Sequence, residues 1–296
     1  MTGHLPIGRT RGLAGREVGA LAYGCWRFGD ADEAQVVALL GAARVAGMDV
    51  LDTAAIYGFG SHAGFGGAER QLGAALRAAP SLAEGAVIVT KGGIEPPLPY
   101  DSRAEALTAS LDASLKRLGV ERVDLFLVHR PDLLAGHAEV GRALDAMVAS
   151  GKAGAVGVSN YSPAQTRALQ AAMQTPLAVT QPEISAATVD ALSDGTLDLA
   201  QELSLLPMAW SPLGGGELMT GSGPVQDALD AIATANGTDR AAAALGWLLA
   251  HPAGIMPIVG SQTPARIRAA ADAYQIKMTR RDWYAVLEAS LGHPMP

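Results

Sequence analysis

With 296 residues, a formal net charge of −7 and 49% hydrophobic against 17% charged residues, the chain has the composition of a compact globular fold, and its charge disfavours a nucleic-acid or anionic-membrane partner. Its length is close to the ~250 residues of one closed strand–helix barrel plus decorations, and no linker, charge run or repeat divides it, so a single domain over 1–296 is expected. The lone cysteine, Cys25, excludes an internal disulfide and suits a reducing compartment, and no apolar run accompanies Arg9, Arg11 and Arg16 to make an export signal, so a cytoplasmic location is expected.

In chain order, residues 4–17 are too short and polar for a barrel unit and read as a hairpin or strap. Apolar, β-prone runs then alternate with helix-like segments. The run 18–23 leads to a helix at 31–46, and the run 48–51, ending in Asp52, leads to a helix near 68–77. Residues 87–90 end in Lys91 and precede a helix at 103–118, on which Leu107, Leu111, Ser114, Leu115 and Leu118 recur at helical spacing. Residues 123–128 end in His129 and precede a helix at 138–150, which Gly151 is placed to close in a left-handed turn. The runs 155–158, 177–180 and 207–210 end in Ser159-Asn160, Gln181 and Ser211, with helices expected near 163–173, 197–204 and over the segment 225–250. The last run, 255–259, reaches Gly260-Ser261 and feeds a helix at 264–273. Residues 241–261 carry no formal charge and have the length of a membrane span, but Pro252 and Pro257 interrupt them. A buried helix ending near Ala250 and a short strand are expected there, with no membrane partner.

Strands alternating with helices argue for a parallel sheet, and right-handed crossovers close such a sheet into a (β/α)8 TIM barrel, an α/β fold, when the helices lie on one side. Residues 4–17 then cross the barrel bottom as an N-terminal hairpin. All strand C-termini of such a barrel point to one face, so residues far apart in sequence converge there. Taken singly, Asp52 suits a helix cap, Lys91 a solvated surface and His129 the start of a loop. Their arrival at successive strand ends, with Tyr57 following Asp52, points instead to proton-transfer chemistry. A phenol has an ordinary pKa of about 10 and donates weakly at neutral pH, and a neighbouring ammonium such as Lys91 is expected to bring it toward working pH. Asp52 would keep Lys91 charged and fixed, and His129 would hydrogen-bond a carbonyl oxygen.

At these residues the chain resembles the aldo-keto reductases. GMDVLDTAAIYG at 47–58 and ERQLG at 69–73 are similar to the first signature of that family, and SLKRLG at 114–119 with VDLFLVH at 123–129 to the second. GVSNY at 157–161, Gln181 and WSPLG at 210–214 continue the pattern, so the resemblance spans about residues 16–275. It implies a short-tailed bacterial-type member that reduces aldehydes and ketones with NADPH, using Asp52, Tyr57, Lys91 and His129, with Tyr57 as general acid. It further implies Ser159, Asn160 and Gln181 on the nicotinamide carboxamide, Trp210 stacked on the ring, and Ser211, Pro212, Leu213 and Gly214 to Gly216 along the pyrophosphate. Gly260, Ser261, Gln262, Thr263 and Arg266 fall at the adenosine end, with Arg266 as the clamp for a 2′-phosphate.

Two features depart from the family pattern. Gly260 stands where many members have Lys, and Ala270 where many have Asn. Arg266, permanently charged and fork-shaped, still favours NADPH over NADH, by less than an Arg-Lys pair would; whether Arg268 contributes stays open. Residues 58–67 are longer than the usual connection and are expected to form either a mobile loop beside the substrate mouth or a solvent-exposed spacer. Trp26, Phe59 and Phe65 are the expected substrate contacts, and Cys25 a small packed hydrophobe. His62, His137, His251 and His293 lack metal-ligand spacing, so no metal is expected. The tail after Ala273 offers little material for a specificity loop, and no exposed apolar stripe asks for a partner, so a monomer or weak homo-oligomer is expected. Two other readings compete: a cofactor-binding sensor resembling ion-channel accessory subunits, and an aldolase-like barrel with Lys91 as Schiff-base former, which the adjacent Asp52 opposes.

Overall fold

The computed structural model describes residues 3–296. Thr10–Leu13 (β1) and Arg16–Gly19 (β2) form an antiparallel hairpin, with Arg11 opposite Val18, turned at Ala14 and Gly15 in left-handed conformations of φ 49° and 78°. The expected run at 18–23 therefore divides between the hairpin and the first barrel strand, Ala22–Gly24 (β3). The split falls where the amides of Ala20 and Leu21 leave the ladder and donate to the Arg9 carbonyl at 2.9 Å and the Tyr274 hydroxyl at 3.1 Å.

Seven further strands follow: Val50–Asp52 (β4), Val87–Gly92 (β5), Val123–Val128 (β6), Ala153–Ser159 (β7), Leu177–Gln181 (β8), Leu206–Ala209 (β9) and Met256–Val259 (β10). From β3 to β10 every pairing is parallel, and β10 pairs with both β9 and β3, closing an eight-stranded barrel. Side chains alternate along each strand. Val50, Val87, Val89, Leu125, Leu127 and Val179 pack inside the cylinder, whereas Leu51, Ile88, Phe126, Val128 and Val156 pack outward against the helices.

The hairpin caps the strand N-termini. Leu13 and Val18, each 2% exposed, join the interior cluster, and burying each stabilises the fold by about 1.5–3 kcal/mol. Polar ties reach the loops before β4, β5 and β10: the Gly19 amide donates to Asp49 Oδ2 at 3.0 Å, Arg16 to the Gly85 carbonyl at 2.9 Å and Arg11 to the Gly254 carbonyl at 2.7 Å.

The outer helices are Glu33–Val45 (α1), Gly67–Ala78 (α2), Ala104–Leu118 (α3), His137–Ala149 (α4), Pro163–Ala171 (α5), Thr196–Leu203 (α6), Pro224–Asn236 (α7), Arg240–Leu249 (α8), Pro264–Ala269 (α9) and Arg280–Leu291 (α10). On α3 the buried residues are Leu107, Leu111, Ser114, Leu115 and Leu118, and Gly151 beyond α4 takes φ 75°. The segment 225–250 is two helices, α7 and α8, because Gly237 turns left-handed at φ 63° and Asp239 caps α8 by accepting the Ala242 amide at 2.8 Å. Past α9 the chain continues as a 3-10 turn to Gln275. The tail, expected to offer little material for a specificity loop, builds α10: Thr279 and Asp282 form a capping box, and Trp283 stacks on Trp247 with ring centroids 5.1 Å apart. Among the described residues no helix is long and apolar enough to cross a membrane, and the uncharged stretch 241–261 resolves into α8 and β10.

Candidate active site

Strand parity fills the C-terminal mouth with polar groups. Val50 faces the axis, and so does Asp52 two residues on; Val87 and Val89 lead to Lys91, Leu125 and Leu127 to His129, and Val179 to Gln181. Lys91 is fully buried and Asp52 is 3% exposed. The ammonium donates to Asp52 Oδ2 at 2.7 Å, to the Thr53 carbonyl at 2.9 Å and to Tyr57 Oη at 3.2 Å. All its protons therefore have acceptors. Gln181 Nε2 donates to the second carboxylate oxygen, Asp52 Oδ1, at 2.9 Å. The His129 ring meets Tyr57 edge-on, with centroids 5.7 Å apart at 79°. Among the described residues the buried side-chain polar atoms without a partner are Thr53 Oγ1 and Ser102 Oγ, neither of them in this set.

The charges settle accordingly. Burial opposes the Lys91 cation, but the charge of Asp52, Tyr57 and the hydrogen bonds to both outweigh it, and its pKa stands above the usual lysine value. Burial pushes the Tyr57 phenol up, and the Lys91 charge and hydrogen bond oppose this without reversing it. Lys91 does oppose the rise, as expected, but burial outweighs it, and the phenol stands above its ordinary value. His129 is held well below its ordinary value by burial and by the charges of Lys91 and Arg130, so its ring is neutral. Cys25 is buried, and burial together with Asp52 raises its thiol well above the ordinary range, consistent with a small packed hydrophobe. Lys91 has no free donor and stays charged, which argues against nucleophilic attack by its amine.

On the neighbouring strand ends, Ser159 Oγ donates to the Gln181 carbonyl at 2.9 Å, and Asn160 Nδ2 donates to Ser159 Oγ at 2.9 Å and to the His129 carbonyl at 3.1 Å. Trp210 Nε1 donates to Asn160 Oδ1 at 3.0 Å. Asn160 and Ser211 adopt φ of 58° and 49°, a left-handed conformation rare outside glycine. After Trp210, Ser211, buried Pro212 and Leu213 come Gly214, Gly215 and Gly216, at φ of 59°, 66° and 112°. A Cβ added at Gly215 or Gly216 would meet nothing within 4 Å, so an anion can approach this backbone closely. The segment 260–263 is tied to the first barrel strand: Tyr23 Oη donates to the Ser261 carbonyl at 3.0 Å, Arg27 to the Gly260 carbonyl at 2.8 Å, and Ser261 Oγ accepts the Thr263 amide at 3.2 Å. Gln262 reaches the Tyr23 hydroxyl at 3.5 Å, and Arg266 and Arg268 are exposed. An open glycine cradle, amide and hydroxyl groups beside the polar floor, and exposed guanidiniums at the far end are a donor set that fits a dinucleotide phosphate.

The residues expected at the substrate end are placed less uniformly. Trp26 and Phe59 stand 61% and 56% exposed on loops of the mouth, with Arg27 over the Trp26 ring. Phe65 lies under the Arg117 guanidinium of α3. Within 58–67, Phe59, Gly60 and His62 are exposed, while Gly66 and Gly67 are buried. The segment is a series of tight turns: a Cβ at Gly29 would come within 2.9 Å of Gly58, the His62 amide donates to Asp30 Oδ1 at 2.9 Å, and Arg70 donates to the carbonyls of Ala63 and Phe65. The Glu69 carboxylate, buried, receives Arg117 and Thr90 beneath it.

The sequence model of the Aldo/keto reductase family matches residues 20–290. The chain belongs to that family. This aldo-keto reductase is 49% identical over 297 residues to a 6-dehydroglucose reductase of Novosphingobium aromaticivorans, covering 98% of each chain. A 6-dehydroglucose reductase of Agrobacterium fabrum is 42% identical, with 93% of this chain and 95% of that one covered. Among solved structures, an aldo/keto reductase from Klebsiella pneumoniae in complex with NADP and acetate superposes on this reductase with a TM-score of 0.81 at 27% identity, covering 98% of this chain and 97% of that one.

Sequence reasoning did not foresee several participants in the reductase. The Thr53 carbonyl on Lys91 and the Gln181 amide on Asp52 are contacts that strand parity implies once the barrel register is known. Tyr23 and Arg27, which anchor 260–263, carry no local motif.

Proposed function

We propose that this chain is an NADPH-dependent reductase of small carbonyl compounds, sugar aldehydes foremost, with Tyr57 as the general acid. The observation that carries the reading is the Lys91 ammonium set between the Asp52 carboxylate and the Tyr57 hydroxyl. When bound, the cofactor supplies a hydride to the carbonyl carbon. The chain's own residues then handle the proton. Tyr57 holds one at Oη and delivers it to the carbonyl oxygen; Lys91, fixed by Asp52 and the Thr53 carbonyl, stabilises the phenolate left behind. His129, kept neutral, donates to the same oxygen and orients it. Ser159, Asn160 and Gln181 border the nicotinamide, Trp210 offers its ring face, Ser211 to Gly214 follow the pyrophosphate, and Gly260 to Thr263 with Arg266 take the adenosine phosphate. Trp26 and Phe59 border the entering substrate. The names of the relatives, 6-dehydroglucose reductases, support an aldehyde on a hydroxylated chain.

Tyr57→Phe tests this. It is expected to lower the rate of NADPH consumption with an aldehyde at least ~1000-fold, while the NADPH dissociation constant, read by fluorescence, stays within about twofold. An active Phe variant rules out Tyr57 as the acid. A wild-type protein that binds NADPH and consumes none with any aldehyde points to a sensor instead.

A further inference from the structure

We infer that Arg130 and Glu183 form a hydroxyl-reading pair at the barrel mouth, selecting carbonyl substrates that carry several hydroxyl groups; this deepens the reductase reading and rests on it. The two residues stand at the ends of one hydrogen-bonded arc. Arg130 follows His129, whose carbonyl accepts Asn160 Nδ2 at 3.1 Å; Asn160 Oδ1 accepts Trp210 Nε1 at 3.0 Å; and the Trp210 amide donates to the Pro182 carbonyl at 3.1 Å, next to Glu183, which itself bridges to Trp210. Because His129 also meets Tyr57 edge-on, this arc borders the place where a carbonyl must sit to be protonated.

Both side chains are half-buried, and among the described residues neither makes a side-chain hydrogen bond or an ion pair. They are close enough to feel each other: burial pushes the Glu183 carboxyl up, and the Arg130 charge pulls it back. Both charged groups stand partly in water with no protein partner, so their donors and acceptors are open to a ligand's polar atoms. Arg130 offers only donors and the Glu183 carboxylate only acceptors. A hydroxyl does both, accepting from the guanidinium and donating to the carboxylate, so a neutral chain of adjacent hydroxyls satisfies the two residues together. An anionic substrate is drawn to one and repelled by the other, and an apolar one engages neither.

The test compares D-glyceraldehyde with 4-nitrobenzaldehyde in Arg130→Ala, Glu183→Ala and Glu183→Gln, together with calorimetric binding of D-glucose to the NADP-saturated protein. The Ala variants are expected to lose about 10- to 100-fold in kcat/KM for D-glyceraldehyde, mostly through KM, and to change by less than about twofold for 4-nitrobenzaldehyde. Glu183→Gln keeps an acceptor and is expected to lose less than Glu183→Ala, and D-glucose is expected to bind Arg130→Ala more weakly than wild type. Equal losses on the two aldehydes, or no loss on D-glyceraldehyde, overturn the pair while leaving the reductase reading intact. If the wild type reduces neither aldehyde, the reductase reading falls, and calorimetry decides the pair alone: no binding of D-glucose by wild type, or unchanged binding in Arg130→Ala, overturns it.

Discussion

Two layers of the barrel mouth are built on opposite terms. In the lower layer Asp52, Lys91, Tyr57 and Gln181 sit on or beside strand ends, and every Lys91 donor has a protein acceptor. In the upper layer Trp26, Phe59, Arg130, Glu183, Arg266 and the glycines 214–216 are half-buried or exposed, and their functional groups are largely unspent on the protein. Strand parity, which cannot shift without turning the core inside out, positions the chemistry. On the proposed reading, recognition falls to loops, whose unmet groups are available to a ligand.

Breaking the lower layer is expected to cost most. Lys91→Met leaves the Asp52 carboxylate buried without its cation, a loss of about 3–5 kcal/mol, measured as a fall in the denaturation midpoint; a variant as stable as wild type would show that the ion pair does not support the fold. Trimming the upper layer is expected to cost less. Arg266→Ala should weaken NADPH binding by roughly tenfold, through loss of one charge-assisted contact, and NADH hardly at all; equal losses in fluorescence titrations remove Arg266 from the 2′-phosphate.

The smallest effect separates the layers by pH. Burial, then Lys91 and Arg130, depress His129, so the unfolded chain takes up its proton near the ordinary value of about 6.5 while the folded chain does so only well below it. Its contribution to stability is therefore present above about pH 6.5 and is lost as pH falls. His129→Asn should flatten the drop in melting temperature between about pH 7 and pH 5, leaving the part due to His251, which burial also depresses. An unchanged slope would take His129 out of the acid limb.

Much of this was legible beforehand, because a buried parallel strand is a short apolar run and its end a polar residue: β6 fell on residues 123–128 as read, and α3 buried the face its spacing indicated. What stayed hidden depends on contacts distant in sequence. The break between α7 and α8 rests on Gly237, turned left-handed, and on the Asp239 cap, a signal local to two residues inside a long helix-like segment. Helix α10 was missed because its docking relies on Trp247, in a helix well before it. The net pKa of Tyr57 needed burial as well as a neighbour, and sequence supplied only the neighbour. The turns of 58–67 were unreadable because they pack against Gly29, in the 3-10 turn Trp26–Asp30 some thirty residues earlier.

The anchoring of 260–263 by Tyr23 and Arg27 ties the last barrel strand's loop to the first strand, 238 residues earlier for the Tyr23–Ser261 contact. The loop thus acquires its shape only when the two ends of the chain have met. A ligand held there favours the finished protein over any half-assembled form, and its binding therefore reports that assembly is complete.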